Sequence, residues 1–341
     1  MKNRRTIWLD RVVHDVLVDS LKAGQPLGPV IEFRNEHQDL MDVQFRRPSG
    51  RMSRASVYAG LTRVLDVDVK VVNDAAPLFR YFIEHETHRK AAPDWRDWAI
   101  WGPLEGMQEL WPAVERYLQE RERWILTDPK AAHHAKEGRV HASMCRTGVR
   151  TYRVVNREAS PSFVDTKAKD EICGQIRSEI RRVLDEVAQP KAWLKYRKFG
   201  TSPDILAVDG EGRLIVAEAK PASYERGIVK GPIQARFYAG LIARWLEADP
   251  DAPTVLKRML EQRVAVGLAR RPVPRFGADM PVVPVLAIGH GQVWPRAREH
   301  ALELRDALTG LAPSEAGATA GTEIWRLGPD GNARKWSSAR E

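Results

Sequence analysis

Two short apolar runs joined by a turn constrain this chain more than any other feature. Residues 203–208 and 213–218 read as strands, and Asp209-Gly210-Glu211-Gly212 between them is turn chemistry that makes an antiparallel hairpin. A hairpin returns both of its ends to one edge. Asp204 opens one arm and Glu218-Ala219-Lys220 closes the other, so the two carboxylates meet there. Side chains alternate along a strand, which puts Glu218 and Lys220 on one face. Close carboxylates repel and shift each other's pKa unless a cation lies between them. Mg²⁺ resolves that cost, being a hard ion held by one or two carboxylates plus substrate phosphate. The bland alternative is an exposed Glu218–Lys220 ion pair worth ~0–1 kcal/mol. Leu214-Ile215-Val216-Ala217 argues against it: the run is a buried-strand pattern, and a charge at the edge of a core is rare unless paired or functional.

The flanks of the hairpin read as helices. Over 168–188, Ile172, Ile176, Ile180, Val183 and Val187 form one apolar face, with Glu179 at its border, about 60° from the centre. Glu171 and Glu186 project further from that stripe. A second helix spans 231–248, with Pro232 near its first turn, and Gln234 and Tyr238 share a face as i, i+4 neighbours. An extended piece is expected at 192–198, further strands at 263–269 and 282–289, and a helix at 295–309. Residues 310–322 read as a flexible linker and 323–336 as a closing hairpin.

Pro203-Asp204 followed by Glu218-x-Lys220 resembles the signature of the PD-(D/E)xK nuclease superfamily. Gln234-Ala235-Arg236-Phe237-Tyr238 is similar to the QxxxY motif of its RecB-like branch. The resemblance covers residues 168–290 and implies an α/β fold, a restriction-endonuclease-like αβββαβ core with a mixed sheet flanked by helices. It implies a nuclease core over 151–310, preceded by a mixed α/β region, 1–150, that adds substrate or partner specificity, and followed by a linker and hairpin, 311–341. It also implies Mg²⁺- or Mn²⁺-dependent phosphodiester hydrolysis. Asp204 and Glu218 would hold the metal, with Glu179 as the core helix's acidic residue. Lys220 would assist the attacking water, and Gln234 and Tyr238 would complete the catalytic set. Many RecB-like members carry a further metal-binding histidine near the first helix. His133, His134 and His141 lie before the core, and none is assigned.

Charge bears on the partner. Lys and Arg total 54 against 45 Asp and Glu, a net of +9. Residues 1–150 hold 24 basic and 21 acidic side chains, whereas 139–198 hold 14 and 7, so most of the surplus is concentrated in one segment. A basic patch of this kind is either the electrostatic footprint of a polyanion, through phosphate neutralisation, or a solvated cationic face, and charge alone weighs the two evenly. Arg177, Arg181, Arg182, Lys195, Arg197 and Lys198 are the candidate phosphate contacts. The three on the helix fall roughly 100° or more from its apolar centre. Nucleic acid is the expected partner, DNA in preference to RNA. The competing readings are an RNA-directed nuclease and a non-catalytic nucleic-acid-binding or scaffold protein on a nuclease fold.

Two cysteines, Cys145 and Cys173, argue for a reducing compartment, and no signal peptide or membrane span is read, so the expectation is cytoplasmic. His85-Glu86-Thr87-His88 is one residue short of the HExxH zinc spacing, and no GxxxxGK[ST], GxSxG or GxGxxG occurs. The N-terminal part reads as helix at 7–22, strands at 30–33 and 42–45, helix at 55–65 and strand at 67–72. Helices at 77–89 and 108–125 and strands at 140–155 complete it. The five tryptophans from Trp95 to Trp124 are weighed as stacking platforms for bases and read in preference as core.

Overall fold

The structure, a computed structural model, describes residues 6–72, 75–127, 132–186, 200–277, 279–309 and 320–336. The class is mixed α/β, as expected. The chain forms two compact units. One comprises Met1–Asp10, Val149–Lys257 and Pro274–Glu341; the other comprises Arg11–Gly148 and Arg258–Val273.

The hairpin lies at the centre of the first unit. Ile205–Asp209 pairs antiparallel with Leu214–Lys220, and the turn is held by Asp209, whose Oδ1 accepts from the Glu211 and Arg213 amides at 3.0 Å each. This is why an aspartate opens the turn: its carboxylate substitutes for a backbone acceptor. Leu214–Lys220 pairs in parallel with Val282–Ile288, which pairs in parallel with Glu323–Leu327; Ala333–Lys335 closes that edge antiparallel. Parallel neighbours need crossover connections, and the helices Glu225–Ala248 and Pro295–Thr309 supply them. Every residue of Ile205–Asp209, Leu214–Lys220 and Val282–Ile288 is buried, the pattern of strands buried on both faces.

The described residues do not give the expected αβββαβ order: the strand that pairs beside Ile205–Asp209 precedes the helix Thr166–Glu186 instead of following it. The strand expected at 192–198 lies outside the described residues. The place beside Ile205–Asp209 is taken by Tyr152–Arg157, antiparallel, from before the first helix. That helix, Thr166–Glu186, buries Cys173, Ile176, Ile180 and Leu184, while Ile172 and Val183 are only half-buried. The stripe is therefore turned slightly from the expected one, and Val187 lies outside the described residues. The expected strand at 263–269 is instead the end of the helix Ala252–Ala265 and a turn. The closing hairpin forms at Glu323–Leu327 and Ala333–Lys335; of the expected linker, 310–319 lie outside the described residues.

The second unit is a four-stranded antiparallel meander, Met41–Ser49, Met52–Ala59, Thr62–Lys70 and Leu78–Phe82, with the helix Leu104–Thr127 packed on it. One sheet face carries Val43, Ala55, Val57, Val67 and Tyr81 into the core. The opposite face is charged: Arg54 reaches Asp66 at 3.1 Å and Asp68 at 2.6 Å, and Arg80 reaches Asp68 at 3.0 Å. Residues 55–65 are thus strand, turn and strand rather than helix, because alternation serves a two-faced sheet. Residues 30–33 belong to the helix Gly28–Glu36, with Pro29 in its first turn, not to a strand. Residues 77–89 are the strand Leu78–Phe82 and the short helix Glu86–Arg89. Before Tyr152–Arg157 the chain is helical over Ala132–Met144, where strand was expected. The expected helix at 7–22 is reduced to Asp15–Ser20 behind a short strand, Ile7–Trp8. Trp98 is buried against Tyr117, and Trp95, Trp111 and Trp124 pack on the core, so the core reading of these four tryptophans holds. Among the described residues no helix is long and apolar enough to cross a membrane.

His88 gives this unit a pH dependence. It is 4% exposed, edge-on to Trp124 at 5.9 Å, and burial, then the charges of Arg121 and His85, push its pKa down to about 4. An unfolded histidine titrates near ~6.5. Below that pH the unfolded chain takes a proton that the folded chain refuses. The stabilisation is therefore complete above ~6.5 and is lost as the pH falls towards 4, by about 3 kcal/mol in total. The urea midpoint of the native chain should fall on acidification across this window more steeply than that of His88→Phe. Equal slopes in the two proteins would show that His88 is not the source.

Candidate active site

Asp204 immediately precedes Ile205–Asp209, and Glu218 and Lys220 end the neighbouring strand, so the geometry of one hairpin sets all three. The Asp204 Oδ2 accepts a hydrogen bond from the Ala219 amide at 2.8 Å, which pins the carboxylate across the strand end. Lys220 Nζ lies 2.8 Å from Glu218 Oε1 and 4.0 Å from Asp204 Oδ2. The side chain of Glu218 is 4% exposed and that of Lys220 10%, whereas that of Asp204 is 19% exposed. The surface ion-pair alternative is therefore excluded by burial. An ammonium shared between two carboxylate oxygens at the edge of a core offsets the repulsion that the hairpin creates.

The helix Glu225–Ala248 covers this edge and brings Tyr238 to it. Burial pushes the Tyr238 phenol up, and the Glu218 and Asp204 charges push it further; a hydrogen bond from Gln234 and the charge of Lys220 oppose them. Tyr238 is thus a neutral donor at physiological pH, held by Gln234 one turn earlier. Gly227 allows the helix to come this close: a Cβ there would lie 2.3 Å from the Tyr224 ring and 2.9 Å from Lys220 Cδ. Asp204, Glu218, Lys220, Gln234 and Tyr238, spread over 35 positions of the sequence, thus form one constellation.

Glu179 is paired with a basic side chain. Its carboxylate lies 3.6 Å from Arg244, and it feels Arg236 and Glu247 on the same helix. Arg244 is about 120° around that helix from Tyr238, at ~100° per residue. The reason is the packing of Ile176 against Gly240, which turns Glu179 to the flank that faces Arg244. Of the basic candidates, Arg181 and Arg182 are exposed, as expected. Arg177 is half-buried with its guanidinium 5.4 Å over the Phe237 ring, so its charged head lies on an aromatic face. Lys195, Arg197 and Lys198 lie outside the described residues.

Sequence reading passed over one donor pair. On the helix Ala132–Met144 of the second unit, Glu137 and His141 are one turn apart, with a carboxylate oxygen and an imidazole nitrogen within 4.8 Å. A carboxylate and an imidazole at this separation can share a metal ion. The signal for the pair is the i, i+4 spacing of glutamate and histidine on one helix face. No family model, curated protein or solved structure matches the chain.

Proposed function

We propose that this protein is a Mg²⁺-dependent nuclease that hydrolyses phosphodiester bonds of DNA, as its resemblance to the PD-(D/E)xK superfamily and its RecB-like branch implies. One observation carries the reading: Asp204, Glu218 and Lys220 converge at a single sheet edge, with Gln234 and Tyr238 turned to it. The donors on offer are hard carboxylate oxygens, which suit Mg²⁺ or Mn²⁺. When bound, such an ion supplies charge neutralisation at the scissile phosphate. Asp204, the more exposed carboxylate, and the buried Glu218 are the ligands. The Lys220 ammonium, held by Glu218, orients the attacking water and stabilises negative charge developing on phosphorus. Tyr238 donates a hydrogen bond to a phosphate oxygen, and Gln234 fixes its direction. Glu179 is left out of this ligand set because it pairs with Arg244.

The test is incubation of the purified chain with circular and linear DNA, with and without Mg²⁺ or Mn²⁺. The expected result is cleavage of at least one form that depends on added metal and stops in chelator. DNA that is bound but left intact under every metal condition would sink the nuclease and favour a binding or scaffold protein on the same fold.

A further inference from the structure

The strand row that carries Lys220 continues beyond it. Lys220, Ile288 and Arg326 are in register on three adjacent parallel strands, so Arg326 is two strand spacings, ~10 Å, from Lys220. The loop after Ile288 is tied to the site: the Gly289 amide donates to the Lys220 carbonyl at 2.9 Å. Gly291 adopts φ +134, a region that side chains avoid, and a Cβ there would lie 3.2 Å from Ala222. The loop is thus pressed against the chain just past the candidate active site. The Arg326 guanidinium donates to the Gly291 carbonyl, and Arg326 and Arg298 both lie over the Trp336 ring, at 5.2 and 4.7 Å. Burial, and then the charge of Arg298, push the Arg326 pKa down. Two cations brought within reach of each other favour an anion beside them.

A second observation is independent of charge. Among the described residues the large exposed apolar side chains are Ile100, Leu126, Val164, Tyr224 and Trp294. The two aromatic ones each follow a strand of this row in the chain. Tyr224 follows Lys220 by four residues, and Trp294, 61% exposed, follows Ile288 by six. Exposed rings beside arginines are the surface on which unpaired bases stack, whereas a duplex keeps its base faces occupied by each other.

We propose that Tyr224 and Trp294 are stacking platforms for the bases of a single DNA strand, whose phosphates Arg326 and Arg298 hold beside the Asp204–Glu218–Lys220 edge. The inference rests on the nuclease reading for the nature of the ligand. It makes unpaired DNA the substrate and the loop 289–294 the element that selects it.

The test measures binding of the full chain to a fluorescent oligo(dT) and to a blunt duplex of equal length, in EDTA, so that neither metal nor cleavage enters. The native protein should prefer oligo(dT). Trp294→Ala should weaken oligo(dT) binding by about tenfold or more and leave duplex binding within about twofold, and Trp294→Phe should restore most of the loss. Arg326→Gln should flatten the salt slope for oligo(dT) by about 0.7 per phosphate contact removed. Equal weakening of both ligands by Trp294→Ala, or no weakening of oligo(dT), overturns the proposal. Metal-dependent cleavage that survives such a failure leaves the nuclease reading standing. A Trp294-dependent preference for oligo(dT) in a protein that cleaves no DNA sinks the nuclease reading and leaves the stacking surface.

Discussion

Glu218→Gln is expected to abolish DNA cleavage, a loss of at least about a thousandfold, together with the stabilisation that Mg²⁺ or Mn²⁺ confers on the native chain. The change keeps the side chain's volume and removes only its charge, at a position 4% exposed and 2.8 Å from Lys220. A cation that binds the folded chain and not the unfolded one stabilises by about 2.7 kcal/mol at a hundred times its dissociation constant. For a chain of this size that is a rise of several degrees in melting temperature. Asp204→Asn should remove the same shift, because both carboxylates face one position. The measurement is a thermal melt with increasing Mg²⁺ or Mn²⁺, run beside a cleavage assay. A variant whose metal-free melt collapses while its metal shift persists would make Glu218 a structural residue only.

Lys220→Met should lower turnover by about a hundred- to ten-thousandfold, the range for a positioned proton-transfer or charge-stabilising group. Methionine retains most of the aliphatic stem that packs against Gly227. It leaves both carboxylates in place, so the metal-induced rise in melting temperature should survive. Binding of oligo(dT) in chelator should also stay near the native value, since the proposed role is in the transition state. The three readouts together separate Lys220 from Glu218: one variant loses turnover alone, the other loses turnover and metal response. Turnover at the native rate in Lys220→Met would remove the ammonium from the chemistry.

The hairpin, and with it the meeting of Asp204, Glu218 and Lys220, was legible in the sequence because every determinant is local. Apolar runs define two short strands, Asp209 and the glycines define the turn, and alternation within one strand does the rest. Gln234 and Tyr238 were legible for the same reason, being one turn apart on a strongly patterned helix. Tertiary structure decided where longer-range packing had a choice. The rotation of the helix Thr166–Glu186 depends on which of its apolar residues meet Gly240. Ile176 does, and Glu179 comes to lie beside Arg244. The strand beside Ile205–Asp209 comes from Tyr152–Arg157, a pairing between distant segments that no local pattern encodes. In the second unit, residues 55–65 have an apolar content that a helix or a two-faced sheet accommodates, and only the cross-strand pairs Arg54–Asp68 and Ser56–Asp66 select the sheet. The place of Arg326 two strands from Lys220 is of the same kind. It follows from the parallel register of Lys220, Ile288 and Arg326, which backbone hydrogen bonds between strands set once the crossover helices have packed.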